Sequence, residues 1–108
     1  MLTIPLFLIG SVGLALAVLF LSLDWLQTLW IARNPMLVSE INLILGKHPS
    51  VQRVCLYFAI CIAIVIAVST ALWFFAYYLA AVVLCYIVAF FEAVVVWRNH
   101  TLNIPIST

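Results

Sequence analysis

Two long apolar stretches dominate the pattern of the chain, one at 4–23 and the other at 54–97. About 20 apolar residues suffice to cross the hydrocarbon core of a bilayer, so the first stretch has the length of one helix. At a rise of about 1.5 Å per residue the second stretch is too long for a single crossing, and it predicts a hairpin of two helices. The hairpin is expected to turn within Ser69–Tyr78, where hydroxyl side chains meet aromatic rings of the kind that settle at the headgroup level.

The pattern therefore predicts an all-α integral membrane protein with three transmembrane helices, at about 4–30, 52–73 and 76–98. Composition agrees, because 69% of the 108 residues are apolar and 6% are charged, whereas soluble domains are about half apolar and about a quarter charged. No Lys or Arg precedes Arg33, so the first stretch lacks the positive start of a cleavable signal peptide. The length fits one domain, 1–108, and the net charge of +1 gives no basic face for nucleic acid.

The basic residues predict an orientation, because all four flank one side of the predicted bundle. Arg33, Lys47 and Arg53 lie in or beside the loop between the first two helices, and Arg98 ends the third. Cytoplasmic loops are enriched in Lys and Arg. The loop and the C-terminus are therefore expected in the cytoplasm and the N-terminus outside, as in a multi-pass protein of the bacterial inner membrane.

The loop at 34–50 has a pattern of its own. Pro35 is expected to stop the first helix, and Ser39 to cap a short helix that ends at Gly46. Ser50 is expected to cap the second transmembrane helix. The many apolar residues of the loop predict that it lies at the membrane interface on the cytoplasmic side or dips into the bundle.

Small residues recur every fourth position, a spacing that lets helix backbones approach closely in a membrane. The longest row is in the second helix, and shorter rows lie in the first and third: Ala59, Ala63, Ala67 and Ala71; Gly13 and Ala17; Ala76 and Ala80; Ala89 and Ala93. Two roles stay open for these rows. They pack the three helices against each other, or they form an interface with a second copy or another membrane protein.

The three cysteines, Cys55, Cys61 and Cys85, all lie in apolar runs. Their spacing matches no zinc or redox motif, and their number is odd. They are interpreted as small apolar side chains that fill the protein interior.

Polar residues gather on the basic side of the predicted bundle. Glu92 lies six residues before Arg98, roughly 9 Å deeper along a helix, and Asn99 shares its face. Asp24 and Thr28 are four residues apart and share a face of the first helix. With neighbouring positions and the loop, the candidate set is Asp24, Gln27, Thr28, Arg33, Glu40, Asn42, His48, Ser50, Arg53, Glu92, Arg98 and Asn99.

Two interpretations of this set remain open. In the first, the arginines neutralise Asp24, Glu40 and Glu92 and lock the helices together, since a charge in a bilayer costs about 2.5–3.5 kcal/mol and is usually paired. In the second, the carboxylates bind a divalent metal or exchange protons together with His48 or His100. The sequence contains no metal motif of fixed spacing, no phosphate-binding loop and no nucleophile motif, so no metal, cofactor or reaction is predicted.

Three segments, "DWLQTLWIARNP", "SEINLILGKHPSVQRVCLYF" and "EAVVVWRNHTLNI", resemble a group of small membrane proteins of bacteria and their phages. That group carries D-x-x-Q-T, then E-x-N-x-x-L-G-x-H-P-S, then E-A-x-x-V-x-x-N. The resemblance covers 24–104, it departs at Leu43, where the group usually has Pro, and it implies a shared fold and no particular chemistry. The matching positions are Asp24, Gln27, Thr28, Glu40, Asn42, Gly46, His48, Pro49, Ser50, Glu92 and Asn99.

Three functions follow as hypotheses, and all place the chain in a lipid bilayer. The first is an accessory subunit or modulator that acts by helix association, as a homo-oligomer or with a membrane-protein partner. The second is a holin-like permeabilising oligomer, although the tail "RNHTLNIPIST" lacks the charged run usual there. The third is a membrane-embedded enzyme or ion site built on Asp24, Glu40, Asn42, His48 and Glu92.

Overall fold

The computed structural model describes residues 3–34 and 49–106, which form three helices. They are α1 (Thr3–Arg33), α2 (Val51–Phe74) and α3 (Tyr78–Thr101). Each is long and apolar enough to span a membrane, which confirms the predicted fold class and the three spans. α1 and α3 run on to positions 33 and 101 rather than ending near 30 and 98.

Several predictions for the connecting loop fall on positions outside the described residues. They concern Pro35, Ser39, Glu40, Asn42, Gly46, Lys47 and His48. The last residue of the loop is described, and there the predicted cap of α2 is confirmed, because the Ser50 hydroxyl accepts a hydrogen bond of 3.1 Å from the Arg53 amide.

The three helices alternate in direction, so that α1 and α3 run parallel to each other and α2 runs antiparallel to both. The molecule therefore has two different ends. We call the end with Phe7 and the α2–α3 turn the hairpin end, and the end with Arg33, Arg53 and Arg98 the basic end. The most extensive helix contact is between α1 and α3, which are the first and last helices of the chain.

Small residues allow α1 and α3 to pack closely. A side chain at Gly13 would meet the ring of Tyr86, since a Cβ built there lies 2.7 Å from the ring. Further toward the basic end, Ala17 of α1 and Ala89 of α3 are buried. The Tyr86 hydroxyl also donates a hydrogen bond of 2.8 Å to the carbonyl of Ile9. In a membrane such close packing, rather than exclusion of water, is what holds helices together.

α2 packs along one narrow strip, which faces α1 mainly through large side chains. Val54 and Phe58 are buried against Leu21 and Leu29 of α1. The Phe58 ring also stacks on Trp25, with ring centroids 6.1 Å apart and planes 10° from parallel. Among the described residues of α2, only Val54, Phe58 and Ser69 are buried.

The turn between α2 and α3 is tight and lies within the predicted segment. Ala76 has a positive φ of 64°, and the amides of Ala76 and Tyr77 donate to the carbonyls of Trp73 and Leu72. This pair of bonds is the Schellman arrangement, which satisfies the last carbonyls of a helix. Ala76 is therefore part of the turn rather than of α3, and its predicted packing partner Ala80 is exposed.

α3 ends in the same way at the basic end. Asn103 has a positive φ of 63°, and the amides of Asn103 and Ile104 donate to the carbonyls of His100 and Asn99. Ile104 is buried, so the chain folds back against the bundle after the turn. Asn adopts this left-handed conformation more readily than Ala does.

Candidate functional site

Five polar side chains meet between the helices toward the basic end, and we call them the polar core: Asp24, Gln27, Thr28, Glu92 and Asn99. Asp24, Gln27, Thr28 and Asn99 are buried, with Gln27 and Thr28 fully so. Helix register explains the meeting, because Asp24, Gln27 and Thr28 lie within one turn of α1, and Glu92 and Asn99 are two turns apart on one face of α3.

One half of the polar core joins α1 to α3 through amide groups. The Gln27 side chain donates a hydrogen bond of 3.2 Å to the Val96 carbonyl, and it accepts one of 3.1 Å from the Asn99 side chain. Gln27 thus uses both ends of its amide on the facing helix. Such bonds in a membrane interior fix the register of two helices, because any slip would leave buried amide groups unpaired.

The other half of the polar core contains the carboxyl groups. Asp24 accepts a hydrogen bond of 3.2 Å at Oδ1 from the Thr28 hydroxyl, which also donates to the Asp24 carbonyl at 2.8 Å. The Glu92 carboxyl of α3 is in hydrogen-bonding contact with Asp24. Two neighbouring carboxyl groups share a hydrogen bond when one of them carries a proton, since ionised carboxylates only accept.

Two side chains of α2 complete the surroundings of the carboxyl pair. Cys61 lies near enough to Glu92 and Asp24 to interact with them electrostatically, and its thiol is a hydrogen-bonding neighbour of Tyr57. The three helices therefore all contribute to this region. Tyr57 was not singled out from the sequence, where an aromatic residue in an apolar helix gives no sign of its neighbours.

Three buried polar atoms, one in the polar core and two in residues next to its members in sequence, have no hydrogen-bond partner in the described part of the chain. They are Trp25 Nε1, Glu92 Oε2 and Arg98 Nε. Arg98 instead uses Nη2, which donates to the Asn99 Oδ1 at 3.4 Å. The Glu92 carboxyl thus contacts Asp24 rather than Arg98, although Glu92 and Arg98 share a helix.

The remaining residues of the predicted set lie outside the polar core. Arg33 and Arg53 are exposed at the basic end, and Ser50 caps α2. His100 is exposed beside Trp97, with ring centroids 6.3 Å apart. Glu40, Asn42 and His48 belong to the part of the chain that the structure does not describe.

The polar core consists of two carboxyl groups, two side-chain amides and one hydroxyl. In the ranges 3–34 and 49–106, no group of three or more His, Cys, Asp or Glu side chains is arranged to hold a metal ion. Cys55, Cys61 and Cys85 are free thiols.

The predicted rows of small residues divide into two kinds in the structure. Gly13, Ala17 and Ala89 lie in the α1–α3 contact, and Ala93 is half-buried beside it. The four alanines of α2 are all exposed: Ala59, Ala63, Ala67 and Ala71. We call this row the alanine face of α2.

Comparison with known proteins found no match for this chain. No protein-family model, no curated protein and no solved structure matches the chain.

Proposed function

We propose that the protein acts in the membrane by helix association, as an accessory subunit or modulator of a larger assembly, and that the alanine face of α2 is the contact surface. One observation carries the proposal: a row of four small residues at helical spacing is exposed, while Gly13 and Ala17 of α1 and Ala89 of α3 lie in the contact within the chain. Small side chains at this spacing allow a further helix to approach closely.

The direction of the alanine face supports an external contact. Phe58 and Ala67 are nine residues apart, which places them on opposite sides of a helix with about 3.6 residues per turn. Because Phe58 is buried against α1, Ala67 points away from the chain's own interior. The two other helices already cover the opposite side of α2, so none of the residues in 3–34 and 49–106 packs on this face and a second molecule has room to do so.

The alanine face lies between bulkier exposed side chains. Bulky side chains are exposed on all three helices, such as Phe7 of α1, Phe90 of α3 and, beside the alanines, Ile60 and Ile64 of α2. Bulky side chains fill space against fluid lipid, whereas a smooth row of alanines lets two backbones meet and gain van der Waals contact.

We also propose that the basic end faces the cytoplasm of a bacterial cell and that the hairpin end faces outward. Arg33, Arg53 and Arg98 all lie at one end, and cytoplasmic ends of membrane helices are enriched in such residues. A reporter enzyme that is active only outside the cytoplasm should be inactive when fused to the C-terminus. An active fusion would show the opposite orientation, with the basic end outside the cytoplasm.

The association is tested by a variant that fills the alanine face. Ala63→Leu with Ala67→Leu adds bulk on the exposed face and leaves the packing of Phe58 untouched. We expect wild-type protein, released from its own membranes in mild detergent, to carry a second copy or another membrane protein in native mass spectrometry. The double variant should lose that companion.

Ala80→Leu is the matched control, since Ala80 is an exposed alanine of α3. It should keep the companion. The proposal is wrong if the wild type is released alone, or if the double variant and the control retain the same companion equally.

A second candidate function, ion or proton binding at the polar core, is favoured by one observation. Asp24 and Glu92 meet between α1 and α3 within the membrane-spanning helices, where ionisable groups are expensive and often functional. A holin-like pore remains a prediction. The polar core faces the interior of the three-helix unit, and no contact among the described residues favours a pore.

Asp24→Asn and Glu92→Gln separate a proton site from a structural contact. Each variant keeps the size and hydrogen-bonding ability of the side chain but removes the exchangeable carboxyl proton. If the pair serves ion or proton binding, both variants should stay folded. When the protein is placed in vesicles and the pH is lowered, the variants should not show the proton uptake that the wild type shows. Equal proton uptake by the wild type and the variants would show that the pair is a purely structural contact.

A further inference from the structure

We propose that a groove between α1 and α2 binds one acyl chain of a phospholipid whose headgroup lies at the hairpin end. The groove begins as a cavity of about 210 Å³ that is lined by residues of all three helices. Its walls include Gly10 and Leu14 of α1, Ser69 and Thr70 of α2, and Cys85 of α3. A dry cavity of about 150 Å³ already holds a molecule of the size of benzene, so this space admits a hydrocarbon chain.

The groove continues from this cavity along α1 toward the middle of the membrane. A second, shallower depression shares Ser11 and Leu14 with the cavity and extends past Val18 to Ser22, with Ile66 on the α2 side. From position 7 to position 22 the helix rises about 22 Å. One leaflet of the hydrocarbon core is about 15 Å deep, so the groove is longer than one leaflet and suits an elongated occupant such as an extended acyl chain rather than a compact ligand.

Four hydroxyl side chains line the groove, those of Ser11, Ser22, Ser69 and Thr70, and two of them are hydrogen-bonded within their own helices. Ser69 Oγ donates to the Val65 carbonyl at 2.7 Å, and Ser22 Oγ donates to the Val18 carbonyl at 2.7 Å. Both hydroxyls are thus satisfied by their own helices. The remaining surface is mostly hydrocarbon, which matches the methylene groups of a lipid tail.

Aromatic rings close the groove at the hairpin end. Phe7 and Trp73 meet edge to face with ring centroids 5.5 Å apart, and Trp73 also lies 4.5 Å from Tyr78. Trp and Tyr settle at the level of the headgroups. A molecule that fills the groove therefore enters sideways from the hydrocarbon, one to three helical turns below the headgroups. At that depth the bilayer consists of acyl chains, which makes a lipid tail the expected occupant.

A photoreactive phospholipid tests the site in the full-length protein. The protein is placed in vesicles of phosphatidylethanolamine and phosphatidylglycerol that contain phosphatidylcholine with a diazirine in one acyl chain, and illumination is followed by peptide mapping. We expect adducts at Ser11, Leu14 and Thr70 to exceed, by several-fold, those at Ile64 and Val94, which are exposed elsewhere.

Two neighbouring substitutions supply the control. Ser11→Phe fills the groove, whereas Val12→Phe adds the same ring at an exposed position of α1 that does not line it. Ser11→Phe should reduce adducts at Leu14 and Thr70 several-fold, and Val12→Phe should leave them unchanged. The acyl-chain site is refuted by adducts spread evenly over exposed residues or by equal effects of the two variants.

Discussion

The two ends of the bundle hold α1 and α3 together by different means. At the basic end the helices are joined by paired side-chain amides, with Gln27 bonded to Val96 and Asn99. At the hairpin end they meet through a glycine, with the Tyr86 ring over Gly13 and a single hydrogen bond to Ile9. The basic end contains the polar core, while the hairpin half of the bundle contains a groove lined mostly by apolar side chains.

This difference shows how a small membrane protein combines a fixed register with an adaptable surface. Hydrogen bonds between buried amides are directional, so they define how far α1 is shifted along α3. Packing against a glycine is close but less directional, and it tolerates space beside it. The proposed lipid site therefore lies at the end where the structure depends least on specific polar contacts.

Gln27→Leu should have the largest effect on this comparison. Leu has a similar volume but cannot replace the bonds to Val96 and Asn99, and it leaves the Asn99 amide group buried without this acceptor. We expect the free energy of unfolding to fall by roughly 1–3 kcal/mol. The loss is measured by titration with sodium dodecyl sulfate in mixed micelles, followed by circular dichroism.

Gln52→Leu serves as the control, because Gln52 is exposed at the same end. Its substitution should change the free energy of unfolding much less. If the two variants behaved alike, the buried amide pair would not determine the stability of the basic end.

The two Schellman turns permit a second comparison between the ends. Ala76 and Asn103 have nearly the same positive φ, 64° and 63°, but a left-handed conformation costs Ala roughly 1–2 kcal/mol and is easier for Asn. Ala76→Gly should therefore raise the free energy of unfolding by about 1 kcal/mol. Asn103→Gly should raise it less, in the same titration.

A larger gain at Asn103 than at Ala76 would contradict this account of the turns. It would mean that the aromatic side chains of the hairpin, rather than backbone strain at Ala76, determine the stability of this turn.

The spans could be predicted from the sequence because the bilayer sets a single requirement, about 20 apolar residues per crossing. The position of the turn within Ser69–Tyr78 could not be fixed as firmly. No Gly or Pro marks it, and the left-handed residue is an alanine. Local propensity would assign Ala76 to a helix, and the turn exists because both flanking helices must pack on α1.

The sequence predicts the polar core only in part. Helical spacing shows that Asp24 shares a face with Thr28, and Glu92 with Asn99. Spacing within a helix does not show which faces meet, so the contacts of Glu92 with Asp24 and of Gln27 with Asn99 come from the structure. The same limit applies to the rows of small residues, since the sequence of α2 does not reveal that its alanines remain uncovered.

Tyr86→Phe should give the smallest effect, and it measures how much the hairpin end relies on a directional bond. The variant keeps the ring over Gly13 and removes only the bond to the Ile9 carbonyl, for which a loss of about 0.6 kcal/mol is expected, the average for such bonds in membranes. Tyr77→Phe, at an exposed position of the turn, is the control. A loss for Tyr86→Phe as large as that for Gln27→Leu would show that both ends are fixed by hydrogen bonds, and the contrast between them would then disappear.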